Sequence, residues 1–274
     1  MRTLIVGATG AIGSCLKAAC IDRNWPTTGT AYRRHGANLL PLDVRDEDAV
    51  RELIADLQPE LTLYAAPFDG FANVLRAVSE TSGLLVIATS GTVFGKAKLA
   101  QKESARANPT DALAASHATA ERLLARDLPG RHLIVRTDRV FGGSRCKVVE
   151  SLCDRLRREA SIRLCNHDLG QPTYGPDLAE SMLDLLKHDQ RGIVHAVGPD
   201  RHSPFSFARL VAFLHGYPAD RLEALVETGG GRSCYLDRQR LRELLGPKAI
   251  RPVADGLRAM RHRSSATRRI IRAA

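Results

Sequence analysis

Three glycines spaced three apart, Gly7-Ala-Thr-Gly10-Ala-Ile-Gly13, follow directly on the apolar run Thr3–Val6 and open a stretch of helical periodicity. Few folds accommodate that arrangement. The first glycine permits a sharp strand-to-helix turn, the second lets backbone approach a pyrophosphate, and the third lets helix press against strand. The helix start then presents unpaired N–H groups and the positive end of its dipole, which suit a phosphate. The spacing is GxxGxxG rather than GxGxxG. Against the plainer reading of a glycine-rich turn, a dinucleotide is the expected ligand, held by Gly7, Thr9, Gly10, Ala11, Ile12 and Gly13.

Downstream, short apolar runs alternate with longer amphipathic ones. Strands are predicted at Thr3–Val6, Thr28–Ala31, Leu39–Leu42, Leu61–Ala65, Leu84–Ala88 and His132–Arg136, with helices near 11–23, 46–57, 70–82 and 110–127. Strands alternating with helices form parallel βαβ units, and right-handed crossovers leave chiefly the doubly wound topology. The predicted fold is therefore α/β, a Rossmann-type doubly wound parallel sheet with a small C-terminal substrate lobe. Past Gly142 the pattern loosens into helices near 147–159, 176–188 and 204–215, with short strands at Ile162–Leu164 and Gly192–Ala196. The expected division is a dinucleotide-binding core at 1–143, a lobe interleaved with the sheet edge at 144–257, and a basic tail at 258–274.

Composition narrows the class. With 44% hydrophobic and 26% charged residues the chain is globular rather than disordered. No apolar run is long enough to cross a membrane, and the first residues read as a buried strand rather than a signal peptide, so a cytoplasmic protein is expected. The six cysteines, at 15, 20, 146, 153, 165 and 234, form no CxxC pair and are expected to be free thiols; no required metal is expected. Of the net charge of +10, six charges belong to Arg258, Arg261, Arg263, Arg268, Arg269 and Arg272 in a tail without acids. No aromatic residue is interleaved there, so a solvated end is expected and a nucleic-acid role is not.

The end of the second strand selects the cofactor. An acidic residue there would accept from a ribose 2′-hydroxyl, but the chain has Tyr32-Arg33-Arg34. Arg33 and Arg34 would pair with a 2′-phosphate through charge-assisted hydrogen bonds, which favours NADP over NAD. Asp43, followed by Val44, would either accept from an adenine amino group or cap the helix that starts before Glu47.

These residues resemble the extended short-chain dehydrogenase/reductase superfamily, and within it the dTDP-4-dehydrorhamnose reductases and their sugar-nucleotide relatives. The resemblance runs to about residue 260. It rests on GATGAIG at 7–13, LQPELTLYAAP at 57–67, ATSGTVFG at 88–95, VRTDRVFGG at 135–143, GQPTYGPDLAE at 170–180 and RSCYLD at 232–237. It implies a Ser/Thr that binds the substrate oxygen, a tyrosine acid/base, and a lysine four residues later that lowers the tyrosine's pKa and holds the nicotinamide ribose. Ser90 falls on the first of these positions. Leu113 falls on the tyrosine and His117 on the lysine, and a leucine cannot transfer a proton.

Three repairs follow. His117 would be the acid, its ordinary pKa near 6.5 suiting the role, or Tyr174 or Tyr64 would reach in from a neighbouring loop. Tyr64 stands at the family's asparagine beside the cofactor, where it and Ala65 and Ala66 are expected to pack on the dinucleotide. The third repair is a site that only binds. Thr92, His167 and Arg232 are candidate substrate contacts. The leading expectation is an NADP-dependent oxidoreductase acting on a sugar-nucleotide-like or other small carbonyl or hydroxyl substrate with a non-standard proton donor. The alternatives are an NADP-binding regulatory or scaffold subunit, for which the methionine adenosyltransferase β subunit is a precedent among resembling proteins, and a non-redox isomerase or lyase. A homodimer or a partner enzyme is compatible with each.

Overall fold

The protein's structure, a computed structural model, describes residues 1–33, 39–97, 99–226 and 235–261. In chain order the first half comprises β1 (Thr3–Val6), α1 (Ala11–Asp22), β2 (Thr27–Ala31), β3 (Leu39–Pro41), α2 (Glu47–Leu57), β4 (Leu61–Tyr64), α3 (Phe71–Ser79), β5 (Leu84–Ser90), α4 (Ala112–Asp127) and β6 (His132–Thr137). The second half comprises β7 (Val140–Phe141), α5 (Val148–Arg158), β8 (Ile162–Cys165), β9 (Thr173–Tyr174), α6 (Gly175–Lys187), β10 (Gly192–His195), α7 (Pro204–His215), β11 (Leu222–Leu225) and α8 (Gln239–Leu245).

Seven parallel strands form the central sheet in the order β10-β6-β5-β4-β1-β2-β3. The order reverses at β1, and ligands of open parallel sheets bind beyond the carboxyl ends of the strands at such a switch point. All four residues of β1 are buried, as expected of a strand covered on both faces. Alternation along it feeds two cores. Ile5 joins Leu16, Leu63, Val86 and Leu183 beneath α1 and α6. Leu4 and Val6 join Ile54, Val74, Ile87 and Leu124 beneath α2, α3 and α4.

β10 comes from the C-terminal portion yet lies beside β6 in this sheet, so a division at residue 143 does not separate two independent cores. The rest of that portion builds two-stranded parallel pairs, β8 with β11 and β7 with β9, under α5 and α7. The short pairs β7–β9 and the strand β11 were not foreseen from the sequence. α7 begins with a capping box, Ser203 and Ser206 each bonding the other's backbone N–H, with Pro204 in the first turn.

A buried polar cluster locks β5, β6 and α4 together. Arg136, 3% exposed, donates from Nη2 to Glu121 Oε2 at 2.7 Å, and Thr89 donates to Glu121 Oε1 at 2.6 Å. The Arg136 guanidinium also lies over the Phe94 ring and against His195. The five cysteines among the described residues are free thiols, and Cys234 lies outside them.

Candidate functional site

The glycine loop forms the cradle that its spacing requires. Gly7 has φ of +83°, and a Cβ there would sit 2.8 Å from the Ala65 carbonyl oxygen. A Cβ at Gly13 would lie 2.2 Å from the Gly7 oxygen, so only glycine lets α1 descend this closely. Gly10 caps α1 without a side-chain bond, and no acid occupies its first turn, which leaves the helix's N-terminal dipole uncompensated. Ala11 and Ile12 supply that first turn. A cleft of about 440 Å³ opens in front of it. Gly7, Thr9, Gly10, Ala65 and Ala66 line its floor, and Arg33, Asp43 and Val44 line its far end. An extended anion with a planar base fits this donor set.

Three expectations at this end need correction or fall outside the structure. Asp43 does not cap α2; it lines the cleft. Asp46 makes the cap, accepting from the Ala49 N–H at 3.0 Å. The Asp43 carboxylate is gripped by Arg45 through Nε at 2.9 Å and Nη2 at 2.7 Å, and Arg45 holds its pKa down to about 2. Tyr64 does not face the cleft: it is 1% exposed, packs against Phe68 and Phe71, and donates its hydroxyl to the Pro67 carbonyl. Burial raises its pKa, which removes it as an acid. Arg34 and Arg232 lie outside the described residues. The Tyr32 ring, unforeseen as a contributor, stands between two guanidinium groups, Arg33 at 5.3 Å and Arg45 at 5.2 Å.

Past the nicotinamide end expected of such a cleft, Ser90 terminates β5 and its Oγ accepts from the Thr92 N–H at 3.2 Å. α4 starts at Asp111, whose Oδ1 accepts from the Ala114 N–H at 2.9 Å. That start leaves Leu113 66% exposed in the first turn. His117 follows one turn later, edge-on to Phe68 at 4.9 Å between ring centres. Its Nδ1 is buried and, among the described residues, has no hydrogen-bond partner. Burial lowers its pKa against the pull of Glu121 and Asp111, so the ring is neutral at neutral pH.

A second cavity, about 200 Å³, adjoins the end of β5. Thr92, Asp111, Asp138, Arg139 and Asp168 line it. Arg139 Nη2 pairs with Asp168 Oδ2 at 3.0 Å, and Asp138 Oδ2 accepts from the Gln171 N–H at 2.7 Å. Burial pushes the Asp138 carboxyl up, and the nearby Asp168 adds to the rise. Neither Asp138 nor Arg139 is among the residues that the sequence points to as site candidates. The available signal was position: Ser90 pairs with Thr137 in the sheet, so the next residue, Asp138, emerges beside the Ser90 turn.

Tyr174 and His167 stand elsewhere. Tyr174 is 2% exposed, packed on Phe141 under the Arg251 guanidinium, and is part of the C-terminal core. It is sealed from solvent and cannot serve as the reaching-in acid. The His167 ring lies against the Cys165 sulfur at 3.6 Å, and its neighbour Asp168 is the residue that faces the cavity.

Comparison with known proteins agrees with this architecture. The chain is 26% identical over 277 residues to methionine adenosyltransferase 2 subunit beta of Danio rerio, spanning 89% of this chain and 85% of that protein. It is 25% identical over 240 residues to dTDP-4-keto-6-deoxy-D-glucose reductase of Streptomyces niveus, spanning 81% of each. Its fold matches dTDP-4-dehydrorhamnose reductase of Bacillus anthracis, solved in complex with NADP, with a TM-score of 0.81, 19% identity and coverage of 94% of this chain and 98% of that one. It also matches Bordetella bronchiseptica WbmH, solved with NAD+, with a TM-score of 0.80, 19% identity and coverage of 93% and 95%. The model of the RmlD substrate binding domain matches residues 62–229, more than half of the length. The chain belongs to the RmlD substrate-binding domain family.

Proposed function

We propose that the protein is an NADP-dependent oxidoreductase with an atypical active site, acting on a carbonyl or hydroxyl group of a small, sugar-nucleotide-like substrate. The observation that carries this reading is the cleft in front of the uncapped α1 N-terminus, with Arg33 at its far end. Its dimensions and donors fit a nicotinamide dinucleotide. The backbone N–H groups of Ala11 and Ile12, in the first turn of α1, would hold the pyrophosphate, and Arg33 would pair with a 2′-phosphate. Ala65 and Ala66, small enough to line the floor, leave room for the ribose.

When bound, the cofactor supplies a hydride, and the chain's own groups orient the acceptor and manage charge. Ser90 Oγ, at the end of β5, is placed to donate to the substrate oxygen as negative charge grows there. The neutral His117 offers its unpaired Nδ1 to a ribose hydroxyl, at the place where the resemblance puts a lysine. Titration of the purified protein with NADPH and NADH, followed by nicotinamide fluorescence, tests the reading. Micromolar NADPH binding with weaker NADH binding supports it, and failure of both to bind removes hydride chemistry.

Leu113, exposed where the resemblance implies a tyrosine, favours one second reading: a dinucleotide-binding subunit that regulates a partner without turnover. The match to methionine adenosyltransferase 2 subunit beta supports that reading. NADPH binding without oxidation in the presence of dTDP-4-keto-6-deoxy-D-glucose is the outcome it expects.

A further inference from the structure

The described tyrosines nearest the family's catalytic positions, Tyr64 and Tyr174, are sealed in cores, and Leu113 cannot hold a proton. A carbonyl that receives a hydride still needs a proton on its oxygen. We propose that Asp138 donates it, a carboxylic acid at the end of β6 doing the work of the absent phenol. This rests on the oxidoreductase reading above.

Placement comes first. β5 and β6 are neighbours in register, Ser90 opposite Thr137, so Ser90 and Asp138 leave the sheet side by side at the carboxyl end. Asp138 and Thr92 line one cavity, which also takes in Asp111 at the start of α4, two residues before Leu113. A substrate oxygen that reaches from the Ser90 turn past Thr92 into this cavity would meet Asp138 among its lining carboxyls.

The charges in this cavity favour one neutral carboxyl. Asp111, Asp138 and Asp168 face it with a single guanidinium, that of Arg139. Arg139 is committed to Asp168, pairing with Oδ2 and also donating to the Asp168 carbonyl at 3.0 Å. Asp111 is engaged as the cap of α4, its Oδ1 accepting from the Ala114 N–H. Asp138 is nine-tenths buried and, among the described residues, takes its hydrogen bonds from the backbone N–H groups of Gln171 and Arg139. Burial and the Asp168 charge both disfavour its ionised form.

Two further features point to a ligand here. The second Asp168 oxygen, Oδ1, is buried and has no hydrogen-bond partner among the described residues, an acceptor suited to a substrate hydroxyl in the same cavity. Gly170 presses onto the pair so closely that a Cβ would lie 2.1 Å from Arg139 Nε and 2.6 Å from Asp138 Oδ2. The loop thereby fixes both side chains against the cavity wall.

The step balances. The carbonyl carbon gains a hydride from the reduced nicotinamide, which is oxidised. The C=O π pair moves to oxygen, and that oxygen takes the carboxyl proton as the O–H bond of Asp138 breaks. The carboxylate left behind regains a proton from water through the open cavity, and the carbonyl has become an alcohol.

The test compares the wild type with Asp138→Asn and Asp138→Ser. Carbon-13 NMR on aspartate carboxyl carbons, assigned by the signal that either variant loses, reads the Asp138 proton without turnover. A resonance that stays in the acid form through the neutral range supports the proposal. Ionisation in the ordinary carboxylate range, in a wild type that binds NADPH, overturns the proposal and leaves the oxidoreductase reading intact. No NADPH binding by the wild type overturns that reading, and the proposal falls with it. With dTDP-4-keto-6-deoxy-D-glucose and NADPH, turnover drops by about a hundredfold in Asp138→Asn while NADPH binding is kept, and Asp138→Glu restores part of it. An unchanged rate in Asp138→Asn overturns the proposal.

Discussion

Arg33 and Arg136 show how differently two arginines of one sheet are used. Arg33 is exposed at the cleft and is expected to act only when a 2′-phosphate arrives. Arg33→Ala is expected to weaken NADPH binding by about tenfold, the worth of one charge-assisted bond at a solvated site, and to leave NADH binding unchanged. Fluorescence titration of both cofactors checks it. Arg136 is buried with Glu121, and the pair holds only while both partners are present. Glu121→Ala is expected to cost about 3–5 kcal/mol, because it strands a buried guanidinium; urea unfolding measures it. Legibility divides along the same line. The glycines were readable because backbone geometry dictates them. The face taken by Tyr64 was not read, although strand alternation carries it: Tyr64 shares a side with Thr62 and opposes Leu61 and Leu63, which point to α1. The capping alternative for Asp43 fails because Asp46, nearer the helix, makes the cap, while Asp43 pairs with Arg45 two residues on.

Among elements, the long helices and the central strands fall within a residue or two of their expected limits, because each has a periodic apolar face and a recognisable end; α3 is the exception, ending at Ser79, three residues short of its expected limit. α2 begins at Asp46 and carries Glu47 and Asp48 in its first turn, both favourable to its dipole. Asp46→Ala is expected to cost about 1 kcal/mol of stability. Asp43→Ala leaves the cap intact and is expected to change stability far less, and thermal unfolding of the two variants tests the assignment. The short pairs escaped notice for a physical reason. β7 and β9 are two residues each, too short for alternation to register, and their pairing is decided by packing around Phe141 and Tyr174. The Asp138 cavity escaped for a similar reason: its walls come from the ends of β5 and β6, the start of α4 and the loop at 168–171, which only the sheet brings together.

Over the whole molecule, four histidines set an acid limit. His117, His195, His202 and His215 all have their pKa lowered, in each case first by burial. The unfolded chain therefore binds protons that the folded chain refuses, starting near the ordinary value of 6.5. Stability is complete above that value and falls as pH drops below it. Asp138 has the opposite sign: its raised pKa means the folded form keeps a proton the unfolded chain has released, so its contribution declines as pH rises. One carboxyl against four imidazoles leaves the net slope upward through the weakly acidic range. Urea unfolding at a series of pH values is expected to show the midpoint dropping as pH falls below 6.5, and His195→Gln is expected to flatten that slope.

The position of β10 bears on how the polypeptide can be divided. Every residue of β6 is buried, and β10 covers its outer flank. A fragment ending at 143 would present that flank as an unpaired, flat, apolar border, a template for adding strands from other copies. Such a fragment is expected to precipitate when expressed by itself and to be rescued by supplying 144–274 in trans. Ribosomal synthesis meets the same problem, since β6 emerges more than fifty residues before the strand that shields it. Helper proteins that hold nascent chains have their natural point of engagement in that interval.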